Sequence, residues 1–394
     1  MAVIKALEEN QSTFTEWRHK IHSNPETAFE EIDTGNFVAE KLESFGIEVH
    51  RGLAKTAVIG TLEGKEKSSQ SIGLRADMDA LDLDELNTFE HKSQVDGKMH
   101  ACGHDGHTTM LLAAAKYLSE TRNFKGKVHF YFQPAEENFG GANVMIKEGL
   151  FDKFPVDMVF GMHNWPGANA KVFHVKPGAL LAANARFEIK IQGKGAHAAM
   201  PNQGKDSILM SSNLIMALQS VASRVIAPLD SVVVSVTQVH GGSAWNVLPD
   251  EVIIRGSLRA LTNEVKEKAF AAIREITNGI CSAYGGTAIV DIVSGYPVTF
   301  NDEVATKVAL KAAQKTIGEN KVITKFASTM GSEDFSFMLQ EVPGCYVLLG
   351  NDKSESTDSG TSPCMLHNPY YDFNDELIPV GASYFVNLVE NGLD

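Results

Sequence analysis

The stretch "MHACGHDGHTT", residues 99–109, places His100, Cys102, His104 and His107 within eight positions. Thiolate and imidazole are both good ligands for zinc and related transition metals. Cys102 and His104 flank Gly103, and in extended backbone a two-residue separation turns both side chains the same way. His107 stands at the start of a helical pattern, where it can face elsewhere. A lone cysteine or histidine would read as a buried thiol or a polar loop residue. Four such residues together, with Asp105 among them, favour a metal.

Further candidates stand where other apolar runs end. "GKVHFYFQPAEENFGGAN" ends on the adjacent Glu136 and Glu137, and "SIGLRADMDAL" on Asp77 and Asp79. "VDMVFGMHNWPG" carries His163 near its end. Neighbouring side chains diverge, so one glutamate of the pair can bind metal while the other reaches a water. Paired glutamates are usually plain surface acids, and each of these positions alone is weak evidence. Three run ends offering Cys/His, Glu/Glu and His make a metal centre the better reading. His367, in "CMLHNPYYDF", lies far off in sequence and is a candidate to complete the site. His197, in "GKGAHAAMPNQGKD", reads equally well as a surface histidine. Asn246 and Arg259 lie near strand ends; an arginine can fork to a carboxylate, although most only solvate a surface.

These residues need elements to hold them. Phe14, Trp17, His19 and Ile21 form an amphipathic helix pattern, and "NPET" caps a second helix that Gly46 ends. "HTTMLLAAAKYLSET" is apolar all round, as a buried helix is. Strands alternate with helices, with Pro134 and Pro166 as strand stops. That alternation predicts an α/β domain with a largely parallel sheet, whose ligands sit beyond the carboxyl ends of the strands. From about Ala182 the texture changes to half-exposed alternation, as in "ARFEIKIQGKG". The order strand-helix-strand-strand-helix-strand there matches an α+β ferredoxin-like unit. The expected plan is an α/β domain of residues 1–181 and 296–394 that carries the metal candidates, interrupted by an α+β insertion at 182–295.

Composition narrows the classes of function. The formal charge of -14 argues against a nucleic-acid binder, which needs a basic stripe. A 43% apolar and 21% charged chain is that of a soluble globular protein. The N-terminus lacks a signal-peptide pattern, and no apolar run approaches a membrane span. Four cysteines in 394 residues do not make a disulfide framework, so reduced thiols and a cytoplasmic location are expected.

Taken in order, "WRHKIHSNPETAFEE", "GLRADMDALDL", "MHACGHDGHTTMLL", "QPAEENFGGANVMIKEGLF", "GMHNWPG", "GKGAHAAMPNQGKD", "NVLPDEV", "GSEDFSFML" and "LHNPYYDFND" resemble the M20 metallopeptidase superfamily. The likeness is to its amidohydrolase branch, which contains hippurate hydrolases, N-acyl-amino-acid amidohydrolases and plant auxin-conjugate hydrolases. It spans nearly the whole chain. The peptidase branches carry His-x-Asp where this chain has Asp77-Met78-Asp79, a departure that favours the amidohydrolases.

The resemblance implies two divalent ions per subunit (Zn, Mn, Co or Ni), held by Cys102, His104, Glu137, His163 and His367. It implies Glu136 as general base and acid, with Asp79 behind the ligands. His197 would donate a hydrogen bond to the oxyanion from the partner subunit, and Asn246 and Arg259 would hold the substrate. His100 and His107 are then supports of the loop. The expected reaction is hydrolysis of N-acyl amino acids, hippurate first, by a homodimer or homotetramer joined through the insertion, which acts as a lid. The alternatives are an N-acetyl-diaminopimelate deacetylase, an auxin-conjugate-type hydrolase and, in another class, a non-catalytic ligand-binding homologue. No nucleic-acid or membrane partner is expected.

Overall fold

Strands that are apolar on both faces must be covered on both faces, and such strands occupy the middle of the larger sheet. The computed structural model describes residues 3–137, 139–352 and 364–393. They form two compact units, one of which comprises the chain up to Gly178, Phe300–Ala327 and the described residues from Asp334 onward. Its sheet has eight strands, with Lys125–Gln133, Glu66–Asp77, Met158–Asn169 and Gly344–Asp352 adjacent and parallel at its centre. Val58–Glu63 and Glu48–Arg51 extend one margin antiparallel; Phe173–His174 and Val322–Ile323 form the other. The fold is therefore α/β with a parallel centre.

Register sets the site. Arg75 pairs with both Tyr131 and Gly161, and Asp77 with Gln133, so Asp77, Gln133 and His163 stand at one level of the sheet. The loops that follow carry Asp79, Glu136 and Glu137, at the edge where parallel sheets gather ligands. Met158–Asn169 does not stop at Pro166 as its sequence suggested. It runs to Asn169, and the proline sits where the pairing with Gly350 and Asp352 is irregular. A missing N–H is tolerated at such a break.

The helix His104–Thr121 is buried on all sides through its middle, Met110 to Ala115 having no exposed surface. It packs against Ile378–Gly392, which also lies on Glu303–Ile317. Each fully buried Leu or Met there contributes about 1.5–3 kcal/mol, so the start of this helix is firmly fixed. Gln11–Ser23 buries Phe14, Trp17 and Ile21 as its pattern predicts, but Arg18 and His22 go inside rather than His19. Ile32–Ser44 is capped by Glu26, whose carboxylate accepts the N–H groups of Ile32, Asp33 and Thr34 at 3.1, 3.0 and 2.8 Å.

The second unit is Ala179–Thr299 with Ser328–Glu333. Its four strands lie in the order Val232–Gly241, Glu251–Ala260, Ala183–Gln192, Thr287–Ser294, all antiparallel, with the helices Ser207–Ser220 and Asn263–Ala283. That is the ferredoxin-like arrangement. Along Ala183–Gln192, Ala185, Phe187, Ile189 and Ile191 enter its core while alternate residues stay outside. This unit begins three residues before the expected 182 and takes in 328–333. The backbone accounts for the difference, since Ala182 donates to Gly331 O at 2.8 Å and Thr329 to Leu180 O at 3.0 Å. Among the described residues no helix is long and apolar enough to cross a membrane.

Candidate metal centre

Two groups of donors share Cys102 in the larger unit. In one, Cys102, His104 and His163 have their ligand atoms within 4.8 Å of one another; in the other, Cys102, Glu137 and His367 do. A third, His104, Glu136 and Glu137, overlaps both. The five residues the sequence suggested as ligands thus converge from four separate segments.

Local structure explains the convergence. Gly103 caps the helix His104–Thr121 with φ of +91°, and a Cβ on it would fall 2.3 Å from Asn164 Oδ1. Only glycine suits that position, and it turns Cys102 and His104 toward His163. His367 also has positive φ, +63°, and its N–H donates to Ala101 O at 2.9 Å, which binds the C-terminal segment to the same loop.

The imidazoles are oriented for ligation. His104 Nδ1 lies 2.8 Å from Asp79 O and His163 Nδ1 lies 2.6 Å from Asn164 O. Each ring therefore donates from Nδ1 to a backbone carbonyl and keeps the Nε2 lone pair for the centre, the usual support of a metal-binding histidine. His163 Nε2 sits 3.4 Å from Cys102 Sγ, and His367 Nε2 sits 3.0 Å from Glu137 Oε1. His104 Nε2 is buried without a hydrogen bond among the described residues. A buried polar atom left so is costly, and a divalent cation would satisfy it. One sulfur, three imidazole nitrogens and a carboxylate suit a transition metal.

Burial pushes the Cys102 thiol up and the His163 imidazole well below its ordinary value. His367, in contact with Cys102 and Glu137, is pushed up to about 10. A cation would reverse the trends at Cys102 and His367 and reinforce that at His163, since it favours thiolate and neutral imidazole.

Behind the donors stands a layer of support. The Asp79 carboxylate accepts the N–H of Glu136 at 3.0 Å and of Glu137 at 2.9 Å, and lies 3.3 Å from His104 Nδ1. His107 Nδ1 is 2.6 Å from Asp77 Oδ1, and His107 Nε2 accepts the Asn164 N–H at 3.0 Å. Both ring nitrogens of His107 are thus engaged. Both of His100 are buried without a hydrogen bond among the described residues, and burial lowers its pKa to about 4. Burial would raise the Asp77 carboxyl, but His104, Arg75 and His107 hold it well below its usual range.

Three further residues escaped the sequence reading as participants. Buried Arg75 joins Asp77 at 2.6 Å to Asp334 at 2.9 Å, and the Asp334 N–H reaches Glu136 Oε1 at 3.2 Å. Glu31 accepts the N–H of Ala135 at 2.9 Å. An arginine inside an otherwise apolar strand was a usable signal for Arg75; nothing local marks Glu31.

The remaining candidates lie in the smaller unit. His197 is exposed, on the short strand Ala196–His197, and its Nδ1 accepts the Ala199 N–H at 3.1 Å. The neutral ring therefore carries its proton on Nε2. Asn246 is exposed and meets this segment through its carbonyl, which accepts the Ala198 N–H at 2.9 Å. Arg259 is half-buried on Glu251–Ala260, donates to Leu258 O at 3.0 Å, and burial lowers its pKa.

Residues 73–391 match the peptidase family M20/M25/M40. The chain is 42% identical over 388 residues to a hippurate hydrolase of Campylobacter jejuni, covering 98% of each. It is 38% identical to the IAA-amino acid hydrolase ILR1-like 4 of Arabidopsis thaliana, covering 96% of this chain and 86% of that one. Its structure resembles the Bacillus subtilis YXEP protein, a dinuclear metal-binding peptidase from the M20 family, with a TM-score of 0.85 and 31% identity over 98% of this chain and 99% of that one. The chain belongs to the M20/M25/M40 peptidase family, in its amidohydrolase branch, and is a metal-dependent amidohydrolase.

Proposed function

We propose that the protein hydrolyses the amide bond of N-acyl amino acids, with hippurate as the first substrate, and that it uses two divalent ions. The observation that carries this reading is the pair of donor groups sharing Cys102, with Glu136 beside them. Cys102, His104 and His163 would hold one ion, and Cys102, Glu137 and His367 the other. The similarity to a hippurate hydrolase supports the substrate class, and that to a dinuclear M20 protein supports the number of ions. The donor set suits Zn, Mn, Co or Ni.

Bound there, divalent ions would polarise the amide carbonyl and bring the pKa of water toward ~7. Glu136 takes the proton of the attacking water and returns a proton to the departing nitrogen. Asp79 fixes its backbone and the Asp334 N–H holds one of its oxygens, so the carboxylate is placed before substrate arrives. His197, with its proton on Nε2, would share the charge that develops on the carbonyl oxygen. Arg259, half-buried beside a backbone carbonyl, would take the substrate carboxylate with Asn246.

The similarity to an IAA-amino acid hydrolase favours a second reading in which the acyl group is an indole-type aromatic. We assign the protein to the cytoplasm as a homodimer or homotetramer joined through the smaller unit. The free Cys102, Cys281, Cys345 and Cys364 support a reducing location. The margin strand Val232–Gly241 and exposed Met216 of the neighbouring helix support that surface for pairing.

Amino-acid release from a panel of N-acyl amino acids, with each metal and with chelator, tests the reading. Hippurate turnover that chelator abolishes and metal restores is expected. Turnover that resists chelator would remove the ions from the reaction, and no turnover of any N-acyl amino acid would remove the substrate class.

A further inference from the structure

Glu31 has no exposed surface and stands just ahead of the helix Ile32–Ser44. Its Oε1 accepts the N–H of Phe29 at 3.0 Å and of Ala135 at 2.9 Å, and its Oε2 accepts the Thr56 hydroxyl at 2.7 Å. Among the described residues no cation pairs with it. A buried carboxylate without a cation is expensive, and burial pushes its carboxyl up to about 7. Fold stability alone is therefore a poor explanation for a charge at this place.

Two of its three donors belong to residues in the left-handed region, with φ of +62° at Phe29 and +55° at Ala135. Non-glycine residues avoid that region and persist there when their surroundings over-determine them. Ala135 immediately precedes Glu136. Its turn, which follows the strand Lys125–Gln133, is what brings the N–H groups of Glu136 and Glu137 onto Asp79. Asp79 holds the glutamates from one side, and Glu31 holds the residue before them.

We propose that Glu31 is a positioning residue which, through the Ala135 N–H, holds the left-handed turn that aims Glu136 and Glu137. It rests on the reading of Glu136 as base and Glu137 as ligand. The glutamine variant should keep most of the effect, since its amide oxygen can still accept from Ala135. A variant of similar volume with no acceptor should lose it. Glycine at 135 should restore part of what is lost, because glycine adopts positive φ without penalty.

The test uses the full-length metal-loaded protein as Glu31→Met, Glu31→Gln, Ala135→Gly and the Glu31→Met/Ala135→Gly double variant. Measured are kcat and KM on hippurate, and metal release to a competing chelator, which reads Glu137 independently of turnover. Expected for Glu31→Met is a kcat at least ~10-fold lower, a KM within about twofold, and metal release ~10-fold faster. Glu31→Gln should stay within about threefold of wild type, and the double variant should regain about threefold over Glu31→Met.

Wild-type kcat and metal release in Glu31→Met would overturn the proposal. So would a double variant no better than Glu31→Met. If Glu31→Met does not fold, the smaller Glu31→Ala, alone and with Ala135→Gly, decides: loss of metal retention that glycine relieves supports the assignment, and no loss, or loss that glycine leaves unchanged, contradicts it. Glu136→Gln is assayed alongside. Turnover in that variant would sink the base assignment, while the chelator readout still reports on Glu31.

Discussion

The Asp79 carboxylate accepts the backbone N–H of Glu136 at 3.0 Å, and through its other oxygen that of Glu137 at 2.9 Å. An acid is thus used to fix the backbone of two other acids. In Asp79→Asn, one of these N–H groups would face an NH2 donor. Activity should fall about 10–100-fold, the range for losing such a support. KM should change little, because the loss concerns placement of the base. An unchanged kcat would show that Glu136 and Glu137 do not need this anchor.

Cys102 belongs to both principal donor groups, so its loss should be felt more widely than that of either neighbour. Cys102→Ala should carry less metal than the wild type by elemental analysis and bind the remainder more weakly. Unchanged stoichiometry would remove Cys102 from the ligand set.

Stability should depend on pH through His22. Its Nδ1 lies 2.8 Å from Asp105 Oδ2 and its Nε2 3.2 Å from Glu85 Oε1. Burial disfavours the imidazolium, but these carboxylates outweigh it and raise the pKa to about 9 from 6.5. A base with a raised folded pKa binds more protons when folded between the two values. Its contribution is complete below about 6.5 and is lost as pH climbs through about 9. Denaturant titrations from pH 6 to 10 should show this decline, and His22→Gln should flatten it. An equal slope in both proteins would assign the decline to another group.

Glu136→Gln subunits mixed with His197→Ala subunits test whether the histidine acts across a dimer. Each variant alone should be inactive, and mixed dimers should recover part of the activity. No recovery, with mixed dimers demonstrated by mass, places His197 and the donors in the same chain.

How much could be read from the residues follows from how local each feature is. Glu136, Glu137 and His163 were visible because each sits by the end of an apolar run, where a parallel sheet gathers its ligands, and Cys102 and His104 because they cluster with His100 and His107 at the start of a helix. The ferredoxin-like unit was visible in the alternation of Ala183–Gln192 and in its element order. His367 has no such local sign; it was a candidate to complete the site, and the resemblance implied it as a ligand. Glu31 and Ala135 are 104 positions apart, and Arg75 and Asp334 are 259 apart. Pairing at that range is decided by tertiary packing, which no local pattern reports. Pro166 misled in the opposite direction, since a local rule for ending strands was overridden by an irregularity in pairing.

The most direct test is the Glu136→Gln protein, assayed for amino-acid release from hippurate and for bound metal in the same preparation. Glutamine keeps the shape but cannot take the proton, and loss of a general base typically costs ~100–10,000-fold. The expected result is full metal content with turnover reduced to that extent. Full metal content with turnover near the wild-type rate would contradict the assignment of Glu136 as the base, and with it the proposed reaction at this centre.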